Sequence, residues 1–275
     1  MNSVGDAAQV LSRAILEKKA PEAEVLLGID NQLLNAAKKS EVLKSYKPAN
    51  ADEVIEASQI LDSEWFLTPY DWSYFSLVYD TESTTPAPKS LDDLTNPIYA
   101  KKIILMDPRT STPGLGFVTW TVATFGDAYL DYWKALKPNI LTMAPGWDTG
   151  YGLFTAGEAP LVISYTTSAA YHLEYDQTDR FQAILFDTGH PLQIEGAGLV
   201  NGATNEKGGK AFLDFLISEE AQNVIPLTQW MYPINKNVEL PESYIKGAPK
   251  ASTVLTADPA KVEKAVIEIM ALLAQ

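Results

Sequence analysis

No cysteine occurs in the 275 residues, which excludes disulfides, thiolate catalysis and cysteine-based metal sites together. Histidine is almost as scarce. Only His172 and His190 are present, and neither belongs to a metal-ligand spacing; His172, beside Tyr171, reads as structural or surface, and His190 follows Gly189 in a turn. No apolar run reaches membrane-spanning length, and Met1-Asn2-Ser3-Val4-Gly5-Asp6 has neither the basic n-region nor the apolar h-region of an export signal. Also missing are a Gly-x-Ser-x-Gly elbow, a P-loop, and the third glycine that Gly114-Leu115-Gly116 would need for a dinucleotide fingerprint. Basic residues are in short supply, 21 against 35 acidic ones for a formal charge of -14. Such a surface repels nucleic acid and anionic membranes and attracts small cations. With so many acids, accidental carboxylate pairs carry no glycosidase signal.

What is present alternates between short apolar strands and amphipathic helices. Ala7, Val10, Leu11, Ala14 and Ile15 predict a helix opening near Asp6, followed through Pro21 by the buried strand Val25-Leu26-Leu27. Gly28-Ile29-Asp30-Asn31 then turns into a second short helix over Leu33, Leu34, Ala36 and Ala37, with Asp30 or Asn31 as its cap. Aromatic and apolar residues from Ser73 to Tyr79 predict a crossing strand before the Thr/Pro-rich connection Thr81 to Lys89. Beyond it the pattern predicts strands at 102–106, 161–164 and 181–186 and helices at 113–124, 129–136, 147–155 and 168–174. A returning strand at 192–200, helical pieces at 210–217 and 221–225, and a last helix at 259–274 complete the chain. The fold class is α/β. The expected division is 1–79 for the first part of lobe one, 80–190 for lobe two, and 191–275 for the return to lobe one with the C-terminal helices.

Three kinds of residue stand out as candidates for ligand contact. Asp107-Pro108-Arg109-Thr110-Ser111-Thr112-Pro113-Gly114-Leu115-Gly116 follows the apolar strand Ile103-Ile104-Leu105-Met106, with Thr112 as the expected helix cap and Pro113 in the first turn. Amides at that helix start, beside the Thr110 and Ser111 hydroxyls, suit an oxygen-rich or anionic group. Ser164-Tyr165-Thr166-Thr167-Ser168 repeats the same physics. The chain also has six tryptophans and thirteen tyrosines, and Trp147, Tyr165, Tyr171 and Trp230 fall at predicted strand ends, loops and helix starts. Such rings either pack lobes or box a flat cationic ligand, an attraction worth ~0.5 to 2 kcal/mol per face. Asp71, within Pro69-Tyr70-Asp71-Trp72-Ser73-Tyr74, either offsets a ligand's positive charge or caps a turn.

These segments, with Gly146-Trp147, Tyr151-Gly152-Leu153-Phe154, Tyr171-His172, Trp230-Met231-Tyr232-Pro233 and Gly28-Ile29-Asp30-Asn31, resemble in order the thiamine-binding solute receptors of ABC importers, over nearly the whole chain. The resemblance implies a two-lobed periplasmic-binding-protein fold of type II, with no cofactor and no metal. It implies thiamine, or a thiamine phosphate, as the ligand, held between lobes that close about connections near residues 79–81 and 188–194. It further implies delivery to the importer's permease subunits, a monomer, and no dealings with nucleic acid. Carried over by position, Trp147, Tyr165, Tyr171 and Trp230 pack around the thiamine rings, while Ser111 and Asp6 hold the hydroxyethyl or phosphate end. Asp6 matches loosely, since Ala7 replaces the family's glycine, and Asp71 matches a motif position. Family members begin with a signal peptide, a first strand bearing a binding-site tyrosine, and a helix. This chain starts after all three, so lobe one is expected to lack its first strand and helix, and ligand binding is expected to be weakened. The full-length form is expected to be periplasmic or extracellular and membrane-associated.

Two other readings share the fold. A receptor for another small solute such as ferric ion is one, but the adjacent tyrosines typical of iron receptors are absent. A thiamine-degrading enzyme is the other, and its nucleophile is a cysteine that this chain lacks.

Overall fold

The computed structural model describes residues 5–275, so the leader reading of Met1 to Val4 lies outside the described residues. In chain order the helices and strands are α1 (Ala7–Leu16), β1 (Val25–Asp30), α2 (Leu34–Ser40), β2 (Leu43–Lys44), α3 (Ala51–Val54), β3 (Thr68–Asp80), β4 (Ile103–Met106), α4 (Thr112–Phe125), α5 (Tyr129–Leu136), β5 (Ile140–Ala144) and α6 (Trp147–Thr155). They continue with β6 (Leu161–Tyr165), α7 (Ser168–Tyr171), β7 (Phe181–Ile184), β8 (His190–Val200), α8 (Glu206–Leu216), α9 (Glu219–Gln222), α10 (Ile225–Thr228), β9 (Tyr232–Pro233), α11 (Glu242–Gly247), β10 (Val254–Leu255) and α12 (Pro259–Leu273). Two compact units result. Unit 1 is Met1–Ser73 with Gln193–Pro241, and unit 2 is Tyr74–Leu192 with Glu242–Gln275.

In unit 1, β1 runs antiparallel to β8, and the register slips between Leu27 and Ile29. The slip falls on Gly28, whose φ of +90° is open to glycine at little cost. The strand expected to end at Leu27 therefore continues through a bulge to Asp30. Asp30 then accepts from the Gln32 and Leu33 amides at 2.9 and 3.1 Å, holding the turn into α2. Leu11, Ala14, Leu26, Ile29, Ala37, Val42, Leu43, Leu67 and Val200 close one core around this ladder. Another contact fixes the rest of the unit. The buried Gln222 amide donates to the Tyr70 and Leu216 carbonyls at 2.8 and 2.9 Å and accepts from the Ile234 and Asn235 amides at 2.7 and 3.1 Å. One side chain thus satisfies backbone groups of β3, α8 and the segment after β9, where Trp72 stacks on Tyr232 at 4.7 Å.

In unit 2, β4 pairs in parallel with both β5 and β6, and β3 pairs antiparallel with β6 and β7. Helix α4 is buried nearly all round, through Pro113, Gly114, Gly116, Phe117, Val118, Trp120, Thr121 and Val122. Two glycines set how closely it seats. A Cβ at Gly114 would lie 2.4 Å from the Met106 carbonyl oxygen, and one at Gly116 would lie 2.6 Å from the Phe75 ring. Buried polar rings find partners: the Trp120 indole donates to Gly189 O at 3.0 Å and the Trp133 indole to Thr121 Oγ1 at 2.9 Å. His190 accepts from the Phe186 amide at 2.7 Å through Nε2 and donates to Phe75 O at 2.8 Å through Nδ1. Burial holds it below the usual imidazole range, so it is neutral and structural. The C-terminal stretch departs from expectation. Residues 242–275 group with unit 2 rather than with the return to lobe one, because α12 packs Val262, Ala265 and Ile269 against α4 and α5.

Three substitutions test this packing by chemical denaturation. Gly114→Ala must move strand backbone and is expected to cost about 1–3 kcal/mol or more, whereas Gly152→Ala, with nothing within 4 Å of its Cβ in α6, is expected to add about 0.5–1 kcal/mol. Gln222→Ala leaves four buried backbone groups unsatisfied and is expected to cost about 3 kcal/mol or more.

Candidate functional site

Parallel strands present their carboxyl ends on one sheet edge, where α/β folds commonly bind ligands. In unit 2 the turns at that edge of β4, β5 and β6 carry Ser111, Trp147 and Tyr165. The β4 turn is built by Asp107, whose carboxylate accepts from Arg109 Nη2 at 2.6 Å and from the Arg109 amide at 2.9 Å. That guanidinium holds Asp107 below the usual carboxylate range. Thr110 Oγ1 donates to Pro145 O at 2.7 Å, tying this turn to the one after β5. Ser111, not Thr112, is the N-cap residue: its carbonyl accepts from the Leu115 amide at 3.0 Å, and Thr112 is already helical. The Ser111 hydroxyl makes no cap. It is 3% exposed and has no hydrogen-bond partner among the described residues, an uncommon state for a buried hydroxyl.

Trp147 opens α6. Its indole stacks on Tyr151 at 4.9 Å and donates to Ser164 Oγ at 2.8 Å, and Ser164 in turn bonds Ser168 at 2.8 Å. These bonds fix the indole relative to the end of β6, where Tyr165 sits half-buried 5.4 Å from Phe75. Tyr171, on the last turn of α7, is 40% exposed and meets His172 edge-on at 5.2 Å and Tyr175 at 5.4 Å. His172 itself is buried, bonded to Tyr151 at 3.0 Å and to Asp176 at 2.8 Å, which gives it a structural role. Burial raises the Tyr151 phenol, so it stays protonated.

Unit 1 carries the remaining predicted residues. Trp230 follows α10, is half-buried, and has φ +57°, a left-handed conformation that few bulky residues adopt. Outliers of this kind gather at functional positions. Asp6 is the N-cap of α1, where the Gln9 side chain accepts from its amide at 3.1 Å. Asp71 lies in β3 and is fully buried, which places its carboxylate out of solvent's reach. The acid beside it that keeps exposed surface is Glu195, which accepts from the Tyr70 hydroxyl at 2.7 Å and from Gln193 Nε2 at 2.8 Å. Sequence reasoning missed Glu195. The signal was available, since Glu195, between Ile194 and Gly196-Ala197, is the one acid in a mainly apolar strand. A cavity of about 680 Å³ in unit 1, between α1, β1 and α8, is lined by Val10, Leu27, Tyr70 and Phe212 among others and holds none of the predicted ligand residues. Among the described residues no group of three or more His, Asp or Glu side chains is placed to hold a metal ion.

Residues 20–253 match a family model described as bacterial extracellular solute-binding protein. The chain is 38% identical over 260 residues to the thiamine-binding periplasmic protein of Brucella abortus biovar 1 (strain 9-941), covering 94% of this chain and 77% of that protein. It is 38% identical over 257 residues, with the same coverage, to the thiamine-binding periplasmic protein of Escherichia coli (strain K12). A solved periplasmic thiamin binding protein superposes with a TM-score of 0.90 at 36% identity, over 98% of this chain and 85% of that one. A ferric binding protein from Campylobacter jejuni reaches 0.80 at 17% identity, over 98% and 88%, a likeness of fold alone. The model match over most of the chain and the two relatives agree: the chain belongs to the bacterial extracellular solute-binding proteins, with the periplasmic-binding-protein fold.

Proposed function

We propose that the chain captures thiamine without transforming it and passes it to the permease of an ABC importer. The observation that carries this reading is the gathering, on one sheet edge of unit 2, of an unpartnered buried hydroxyl and two half-buried rings, Ser111, Trp147 and Tyr165. Indole and phenol faces suit a flat cation. The Ser111 hydroxyl, at the amide end of the 14-residue α4, suits the hydroxyethyl oxygen or a phosphate. Tyr171 of unit 2 and Trp230 of unit 1 are the further ring contacts in this reading, and Asp6 is a second hold on the polar end. The relatives named as thiamine-binding periplasmic proteins support the choice of ligand and a working place outside the cytoplasmic membrane. No described helix is long and apolar enough to cross a membrane. In this reading the chain acts as a monomer; capture without catalysis and without a nucleic-acid partner accords with the lack of a cysteine nucleophile and the charge of -14.

Calorimetry and tryptophan emission with added thiamine test the reading. A saturable signal is expected; none up to about 1 mM, equivalent to a binding free energy of about -4 kcal/mol, would overturn it. Trp147→Ala and Trp230→Ala are each expected to weaken binding by ~1–3 kcal/mol, and unchanged affinity in both rules out the ring contacts. Ser111→Ala removes a hydroxyl with no protein partner among the described residues, so unfolding stability should stay within about 0.5 kcal/mol while affinity for thiamine or its monophosphate falls. A loss of stability without a loss of affinity would assign Ser111 to the fold instead.

A further inference from the structure

Among the described residues, unit 1 leaves buried hydrogen-bond acceptors around Asp71 without donors. Both Asp71 carboxyl oxygens are buried without a donor, and so is Oε1 of the fully buried Gln193. Tyr70 O–H and Gln193 Nε2 both donate to Glu195. Asp71 and Glu195 interact directly, side chain to side chain. Two carboxylates in contact repel, and the contact becomes a bond only if one of them carries a proton or a cation comes between them.

We propose that Asp71 and Glu195 share a single proton, and that Glu195, the member with exposed surface, is the carboxylate unit 1 offers to a cationic ligand, whose arrival expels that proton. The second half of this proposal rests on the thiamine reading above; the first half does not. Charge balances: the pair changes from one negative charge with a proton to two negative charges beside one positive ligand, and the proton goes to solvent. Asp71 is the holder of the proton and acts through Glu195 as a positioning residue. Its ionisation is pushed well up, by burial first and by Glu195 second. Glu195 is also raised by burial, against the opposing hydrogen bonds from Tyr70 and Asp71, the order expected when Asp71 donates. Two further elements bring charges to the pair, and β3 itself adds a neutral donor beside Asp71. Asp6 at the start of α1 raises Glu195 through space, Asp30 of β1 sits opposite Glu195 in the ladder, and Tyr70 of β3 donates to it. None of these is cationic, and among the described residues no lysine or arginine forms an ion pair with either acid.

The linkage has a definite sign. A carboxyl whose ionisation is raised on folding binds its proton more tightly in the native state. Its stabilising contribution is therefore complete below the ordinary carboxylate range and is lost as pH rises through the raised value.

Infrared spectroscopy of the ligand-free chain at pH 7 tests the first half. A protonated-carboxyl stretch is expected in the parent chain; it should vanish in Asp71→Asn and shift in frequency in Glu195→Gln, where burial keeps Asp71 protonated but an amide replaces its carboxylate acceptor. Asp71→Asn keeps a donor toward Glu195 in the same space, so it should fold, and its stability should fall less than the parent's as pH rises from 5 to 8. A missing band, a band that survives Asp71→Asn, or a band unmoved by Glu195→Gln overturns the shared proton. Thiamine titrations in phosphate and in Tris, buffers that differ in ionisation enthalpy, test the second half. Proton release of up to one per ligand is expected in the parent and none in Asp71→Asn, with Glu195→Gln weakening affinity about tenfold or more. Equal affinity for the parent and Glu195→Gln overturns the ligand contact. If the parent chain takes no thiamine at all, the thiamine reading and the ligand contact fall together, while the infrared band still decides the shared proton.

Discussion

The seating of α4 on the carbonyl end of β4 is the contact on which the candidate site of unit 2 depends. Only a hydrogen fits at Gly114, 2.4 Å from the Met106 oxygen when measured to an added Cβ. The helix is pressed against the strand end, and its amide terminus is held at the same edge as the turns after β5 and β6. Neighbouring bonds carry the constraint sideways: Thr110 reaches Pro145, and Trp147 reaches Ser164. A ring and a hydroxyl that are remote in the chain become neighbours because the three strands are parallel and the turns are tied. Preorganisation here is a property of backbone packing first and of side-chain choice second.

Much of this arrangement was legible from residue pattern. Alternating apolar strands and amphipathic helices mark an α/β chain, and the Asp107 to Gly116 run marks a strand-to-helix turn that the structure places at a carboxyl edge. What the pattern concealed has identifiable causes. Gly28 resembles a turn residue, but a glycine with positive φ serves a bulge equally well, and local sequence does not separate the two. Helix α12 is amphipathic whichever body it packs against, so its apolar stripe of Val262, Ala265 and Ile269 cannot name its partner. Ser111 and Thr112 are both good caps, and the choice between them was made by α4's close approach to β4. Gln222 and Glu195 were missed because their roles exist only in three dimensions: one saturates four backbone groups from separate segments, the other meets an acid distant in the chain.

The two units manage buried polarity differently. Unit 2 closes its polar rings one at a time, with a single bond each for Trp120 and Trp133 and two for the neutral His190. Unit 1 concentrates demand instead. Gln222 answers four backbone groups at once, while the Asp71 region has acceptors in surplus. In a chain with an excess of acids, one buried acid contact is unremarkable as composition and informative as geometry, since burial removes the water that would otherwise quench it.

Trp230 shows how a backbone torsion can matter to an encounter with a small molecule. At φ +57° the main chain sits in a narrow well that bulky residues rarely enter, so the direction of the indole is set by the bend that follows α10 as well as by its rotamer. Aiming the ring is then a task finished at folding. A solute meeting it would find fewer orientations to freeze, and the entropic penalty of capture would be smaller by that amount.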